Sequence, residues 1–190
     1  MKKSDFKIFK KIPTLNTERL ALRKILKSDL EDVYEYASDP SVSEFLTWYP
    51  HKNIQYTREY LKYLQVLYRK GKLYDWAVVI NEKMIGTVGF SRIDIKKNCA
   101  EIGYVINKSF WGRGIAAEAV REILNFAFSL LNFDKVYAVI MSENIGSERV
   151  LTKCCFKKEA SCDDTMIIKG AERNIKTFSV LKDDYLRNKT

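Results

Sequence analysis

The sequence predicts an α/β (α+β) fold, a mixed and mostly antiparallel central sheet of about seven strands flanked by about four helices. Three observations lead there. The β-branched and aromatic runs Leu73 to Ile80, Met84 to Asp94 and Cys99 to Ile106 are separated by turn-like segments too short for a crossover, so they form an antiparallel meander. From Ile115 to Leu131 the apolar residues Ile115, Ala119, Ile123, Phe126, Ala127 and Leu130 recur at helical spacing. The near-continuous apolar run Val136 to Ile140 follows that helix, as a buried strand reached by a right-handed parallel crossover would.

The other elements read in chain order. Arg19 to Ile25 alternates well enough for a first strand, with Leu20 and Leu22 on one face. Ser28 and Glu31 predict a capping box for a helix whose stripe is Leu30, Val33, Tyr34 and Ala37, and Pro40 marks its end. A second helix, roughly Ile54 to Arg69, is stopped by Gly71. After Ile140 a fourth helix, roughly Ser147 to Cys154, precedes strands near Phe156 to Cys162 and Met166 to Val180. The latter is either a hairpin or one strand bent at Lys169-Gly170.

At 190 residues and 46% hydrophobic content, the chain is long and apolar enough for one domain with its own core, which excludes disorder and a staple-dependent mini-fold. The expected division is a basic N-terminal tail at 1–13, a domain at 14–182 and a polar C-terminal tail at 183–190. No apolar run is long enough to span a bilayer, and the lysine-rich start lacks the apolar stretch of a signal peptide, so a cytoplasmic protein without a membrane partner is expected. Four cysteines (Cys99, Cys154, Cys155, Cys162) show no C-x-x-C spacing and His51 is the single histidine. Neither a metal site nor a nucleophile activated by imidazole is supported.

The formal net charge of +9 suggests nucleic acid until its distribution is examined. Residues 1–27 hold nine basic and two acidic groups, whereas the rest of the chain holds 24 basic and 22 acidic ones. The body is nearly neutral, and no specific nucleic-acid partner is expected. The basic start is left as an aid to encounter with an anionic partner or as a solubility feature.

One loop carries chemistry. Phe110-Trp111-Gly112-Arg113-Gly114-Ile115-Ala116-Ala117-Glu118 joins a strand to the clearest helix, and its glycines let the backbone approach a ligand while first-turn amides point at it. That is an anion site, most naturally for a pyrophosphate, with Arg113 as an added contact; the plainer alternative is that the glycines only turn a strand into a helix. The segment formally matches G-x-G-x-x-A, but a dinucleotide fingerprint belongs after the first strand of a βαβ unit with an acid ending the next strand, and that strand ends Ile140-Met141-Ser142. The Walker pattern is absent.

Together with its surroundings, the loop resembles the GNAT family of acetyl-CoA-dependent N-acetyltransferases, whose loop has the form [QR]-x-x-G-x-[GA]. Trp111 to Ala119 fits the W-G-x-G-x-[AG]-x-E-A variant of the RimJ/RimL-like branch that acetylates ribosomal proteins. Thr17 to Arg23 is similar to its T-E-R-L-x-L-R opening and Ala100 to Ile106 to its fourth strand. Asn144 to Ser147, with Lys153 and Phe156, is similar to its N-x-x-S…K-x-G-F helix. The resemblance covers about residues 14–181, and four motifs in register make it specific.

The resemblance implies an acyl-CoA N-acyltransferase fold with a splayed strand pair. Acetyl-CoA would lie with its diphosphate on the amides of Gly112, Arg113, Gly114, Ile115, Ala116 and Ala117 and its pantetheine along Tyr104, Val105 and Ile106. An amide near Val105 or Ile106 would polarise the thioester carbonyl. Asn144 would contact the pantetheine arm, cap its helix, or both. Glu101 is the candidate base, because it shares a strand face with Gly103, whose missing side chain leaves room for substrate; the alternative is a solvent-facing or lysine-paired carboxylate. The acid position held by tyrosine in many members is Leu151 here, so Ser147 takes that role, directly or through water, against the alternative of a plain first-turn hydroxyl. Met166 stands where some members carry a further carboxylate, and Cys155 where the branch has glycine, read as a packing change. Without an imidazole to activate a cysteine, direct attack in a ternary complex is expected.

The acceptor is expected on the side of the two N-terminal helices. Trp48, Tyr49, His51 and Trp76 either line its site or belong to the core. Resemblance favours a protein N-terminal α-amine, such as a ribosomal protein's; the branch also acts on polyamines and antibiotics. A monomer or homodimer is expected. The reading from a different class is a non-catalytic acyl-CoA-binding or basic RNA-associated module.

Overall fold

The computed structural model describes residues 9, 11–160 and 164–187, so Cys162 lies outside the described residues. Its strands are β1 (Leu15–Asn16), β2 (Ala21–Arg23), β3 (Asp75–Ile80), β4 (Lys83–Asp94), β5 (Cys99–Ile106), β6 (Lys135–Met141), β7 (Lys157–Lys158), β8 (Asp164–Ile168) and β9 (Ala171–Leu181). They form one sheet in the order β1-β2-β3-β4-β5-β6-β9-β7, with β8 also paired to β9. Every pairing is antiparallel except β5 with β6. The helices are α1 (Leu30–Ala37), α2 (Pro40–Ser43), α3 (Ile54–Lys70), α4 (Ile115–Asn125), α5 (Ile145–Lys153) and α6 (Lys182–Arg187); Phe126–Leu130 continues α4 as a π-helical turn. Among the described residues no helix is long and apolar enough to cross a membrane.

The meander is as expected, and the 164–181 segment is a hairpin. Lys169 and Gly170 both take positive φ (53° and 78°), as a two-residue turn matching strand twist requires. The capping box differs from expectation. Asp29, not Ser28, organises the entry to α1: its carboxylate accepts the Leu26 amide at 2.7 Å and both guanidinium arms of Arg23 at 2.7 and 2.9 Å. A carboxylate can accept three such donors at once and a hydroxyl cannot.

Strand parity gives the sheet two different faces. On one, Trp76 packs against Phe9, Phe90 and Phe126, with ring centroids 5.2 to 6.3 Å apart, beside α4. The other is covered by α1 and α3, which bury Val33, Ala37, Leu61 and Leu64.

Described residues of both expected tails contribute to the core. Phe9 is fully buried, edge-on to Tyr74 at 4.5 Å, and the Trp76 indole donates to the Pro13 carbonyl at 2.8 Å, so the division at 13/14 cuts through packed structure. At the other end α6 buries Tyr185, whose hydroxyl donates to the Arg121 carbonyl or the Asn125 side chain and whose ring lies 5.3 Å from Phe128. In each case burial of an aromatic ring offsets the cost of ordering the residues around it.

The sheet opens at its centre. β4 pairs with β5 along its whole length, but β5 pairs with β6 only over Cys99, Ala100 and Glu101 against Lys135, Val136 and Tyr137. Beyond that point the two parallel strands diverge into a wedge bounded by residues 103–106 and 138–141. A register shift between Phe90 and Arg92 on β4, opposite Ile102 and Glu101, bends the strands at the vertex.

Cys155, expected to be a packing change, packs against the core and also occupies a strained backbone position. It sits at φ 66°, and its amide bonds to Thr152 O while that of Phe156 bonds to Leu151 O, the pattern that closes a helix through a left-handed residue. Cys155 thus keeps glycine's conformation at a steric cost. Cys155→Gly is expected to stabilise the protein by about 1 kcal/mol in urea denaturation; no gain in midpoint would contradict the strain.

Candidate functional site

The loop before α4 has the geometry of an anion cradle. Gly112 and Gly114 take φ of 75° and 76°, and a β-carbon would meet nothing within 4 Å at Gly112 and only an Arg19 nitrogen at 3.7 Å at Gly114. Glycine is needed there for conformation and leaves the backbone bare. The first bond of α4 runs from Glu118 N to Gly114 O, so the amides of Ile115, Ala116 and Ala117 precede the helical ladder at its positive end. The Ile115 and Ala117 side chains are buried beneath them and fix their direction.

Four residues outside the cradle hold it. The Trp111 indole, half exposed, donates to Ile106 O at 2.7 Å and ties the loop to the end of β5. Arg19 bonds Glu118 through Nε at 2.7 Å and the Arg113 carbonyl at 3.0 Å, and the Thr17 hydroxyl donates to the same carboxylate. Burial pushes the Glu118 pKa up, but the Thr17 and Arg19 bonds outweigh it and hold the group below the ordinary carboxylate range. Thr17, Arg19 and Glu118, present in the sequence only as members of motifs, form one clamp that spans 101 residues of chain. The Arg113 guanidinium stacks over Phe110 at 5.3 Å. Beside the loop, Arg19, Arg121 and Lys153 join Gly114, Ala117, Glu18 and Glu118 in lining an open cleft of about 760 Å³.

The wedge brings the candidate catalytic residues to its vertex. Glu101 is the last residue of β5 paired to β6, where it stands opposite Tyr137, and its partner on β4 is Arg92. Two residues on, a β-carbon at Gly103 would meet nothing within 4 Å, so the space beside Glu101 is open. Tyr104 points to the opposite face, where its hydroxyl lies 2.6 Å from Ser147 Oγ at the start of α5. Burial drives that phenol's pKa far up, with the Ser147 bond opposing. Asn144 Oδ1 accepts the Ser147 amide at 2.9 Å, so Asn144 is an N-cap whatever else it does. Leu151 is fully buried, with no tyrosine replacing it.

Alternation along β5 selects among the backbone amides. Asn107 N donates to Ile85 O on the β4 side, so Val105 and Gly103 turn toward β4 while Tyr104 and Ile106 turn into the wedge. Of the two amides proposed for the thioester carbonyl, this favours Ile106 over Val105.

The aromatic residues divide. Trp76 is fully buried on the α4 face, so it does not line the acceptor side; the run Asp75–Ile80 is apolar at both parities after its first residue, which hides its register. Its neighbour Asp75 faces α1 and α3 instead. Trp48, Tyr56 and Tyr60 surround His51 at centroid distances of 5.7, 4.9 and 5.3 Å. His51 is buried, within 2.9 Å of Thr57 Oγ1, and burial lowers its pKa, which favours a neutral structural imidazole. Exposed Tyr49 donates its hydroxyl to Lys169 O, and Lys169 Nζ reaches Ser43 O, so the β8–β9 turn and the 44–53 loop meet. Met166 is exposed on β8.

Comparison with known proteins agrees with this architecture. Residues 19–157 match the family described as the acetyltransferase (GNAT) domain. The chain is 33% identical over 174 residues to "Uncharacterized N-acetyltransferase p20" of Bacillus licheniformis, covering 90% of this chain and 98% of that one. A spermidine N(1)-acetyltransferase of Vibrio cholerae is 22% identical over 88% of this chain and 96% of its own length. The solved structure of RimL, a ribosomal L7/L12 alpha-N-protein acetyltransferase in complex with coenzyme A, superposes with a TM-score of 0.77 at 18% identity, covering 90% of this chain and 99% of that one. At that identity the likeness shows the fold alone. With its split sheet, its glycine loop opening α4 and this match over most of its length, the chain belongs to the GNAT family of N-acetyltransferases.

Proposed function

We propose that this N-acetyltransferase moves an acetyl group from acetyl-CoA to a primary amine by direct attack in a ternary complex, with Glu101 as base and Ser147 as acid. The observation that carries this reading is the placement of Glu101 and Ser147 on opposite faces of the wedge. An amine approaching from the α1 and α3 side meets the carboxylate, while a departing sulfur lies toward the hydroxyl.

The residues present fit acetyl-CoA. Bare amides from Gly112 to Ala117 suit a diphosphate, Arg19, Arg121 and Lys153 add positive charge beside them, and the wedge edge of Tyr104 and Ile106 offers backbone groups to an extended amide chain. Bound there, acetyl-CoA supplies an acetyl group already activated as a thioester. The chain's own residues do the rest. Glu101 takes the proton that the attacking nitrogen must lose, and its place as the last residue of β5 paired to β6 keeps it at the vertex. The Ile106 amide stabilises negative charge on the carbonyl oxygen, a contribution of roughly 3 kcal/mol for such donors. Ser147 gives its proton to sulfur and is held by Tyr104. For the acceptor, the motif resemblance favours a protein N-terminal α-amine.

Glu101→Gln is expected to leave acetyl-CoA affinity unchanged and to lower kcat more than tenfold in a coenzyme A release assay; wild-type turnover across the pH range would remove Glu101 as the base. Gly114→Val forces a β-branched residue into a left-handed conformation and covers the cradle. A more than tenfold loss of acetyl-CoA affinity is expected by calorimetry, and undiminished binding would reject the loop assignment.

A further inference from the structure

The acceptor face holds a second carboxylate that the transfer chemistry leaves unused. Register places Asp75 on β3, Gly89 on β4 and Gly103 on β5 side by side, with Glu101 two residues along β5 on the same face. The floor between the two acids is therefore two adjacent glycines. At Gly89 a β-carbon would stand 2.4 Å from Asp75 Oδ1, so the carboxylate leans across that glycine, and at Gly103 the space is open. Strand spacing puts the backbones of Asp75 and Glu101 roughly 12 Å apart.

Asp75 has aromatic surroundings and, among the described residues, no counter-charge. Its charge is felt by Tyr36 on α1 and by Tyr60 and Tyr68 on α3. Tyr60 continues into the group formed by His51, Tyr56 and Trp48. Among the described residues no lysine, arginine or histidine forms an ion pair with Asp75, and burial alone raises its pKa to about 6. A half-buried carboxylate without a counter-charge costs free energy that a cation arriving with a ligand would recover, and tyrosine rings favour the same charge.

We infer that Asp75 is a specificity-determining residue which binds a second cationic group of the acceptor, so that the preferred acceptor carries a further positive charge beyond the amine that is acetylated. This rests on the acetyl-transfer reading and narrows its substrate class. The second charge comes either from a small diamine or from a basic side chain close to a peptide's N-terminus; both present an ammonium or guanidinium to the same carboxylate.

The test compares kcat/KM for matched acceptors in the wild type and Asp75→Asn: 1,4-diaminobutane against butylamine, and the tripeptide Ala-Arg-Ala against Ala-Gln-Ala. The wild type is expected to prefer the doubly charged member of at least one pair tenfold or more. Asp75→Asn should abolish that preference while changing the singly charged member less than threefold. The pair that shows the effect identifies the source of the charge. Should the asparagine variant fold poorly by its thermal midpoint, Asp75→Ser is read in the same way. Equal use of both members by the wild type, or a preference unchanged in the variants, overturns the assignment and leaves acetyl transfer intact. Turnover of none of the four amines by enzyme that binds acetyl-CoA contradicts the transfer reading, and the role of Asp75 falls with it.

Discussion

The pairing of β5 with β6 stops at Glu101 and Tyr137, and the rest of the molecule is arranged around that break. A strand edge in the middle of a nine-stranded sheet is costly, because each backbone amide and carbonyl there needs a partner from water or from something that enters the gap. The fold meets part of that need itself. Trp111 caps the Ile106 carbonyl, and Tyr104 bridges from β5 to Ser147 at the start of α5. What remains along Tyr104 and Ile106 is suited to an extended chain with amide groups of its own.

The anion cradle depends on the same break. The loop leaves the diverging end of β5 and turns into α4, and the clamp of Thr17, Arg19 and Glu118 fixes it against the N-terminal segment. An exposed ion pair alone contributes little, but here one carboxylate gathers a hydroxyl, a backbone amide and a guanidinium, and that guanidinium also reaches the loop carbonyl. In the proposed function the cradle fixes one end of acetyl-CoA, the vertex fixes the other, and the acceptor enters over the glycine floor.

Much of the fold was legible because its elements carry a period. The helical stripe from Ile115 and the meander runs announce themselves, and the strand-loop-helix boundary at Trp111 carries a motif. What escaped has physical reasons. Phe9 and Tyr185 lie in short terminal segments rich in charged residues, whose charge hides that these rings are buried. The run from Asp75 to Ile80 does not declare its faces, so Trp76 reads as a candidate for the acceptor site while Asp75, one residue away, faces α1 and α3. Ser28 looked like a cap, but Asp29 could take more donors. The bond between Tyr104 and Ser147 spans 43 residues, and spacing in the sequence gives no sign of it.

Amide hydrogen exchange at the wedge tests the central claim most directly. The account predicts that adding coenzyme A slows exchange at Tyr104 and Ile106 at least tenfold, while Val105, already turned to β4, changes little. Unchanged exchange at Tyr104 and Ile106 in the presence of saturating coenzyme A would contradict it.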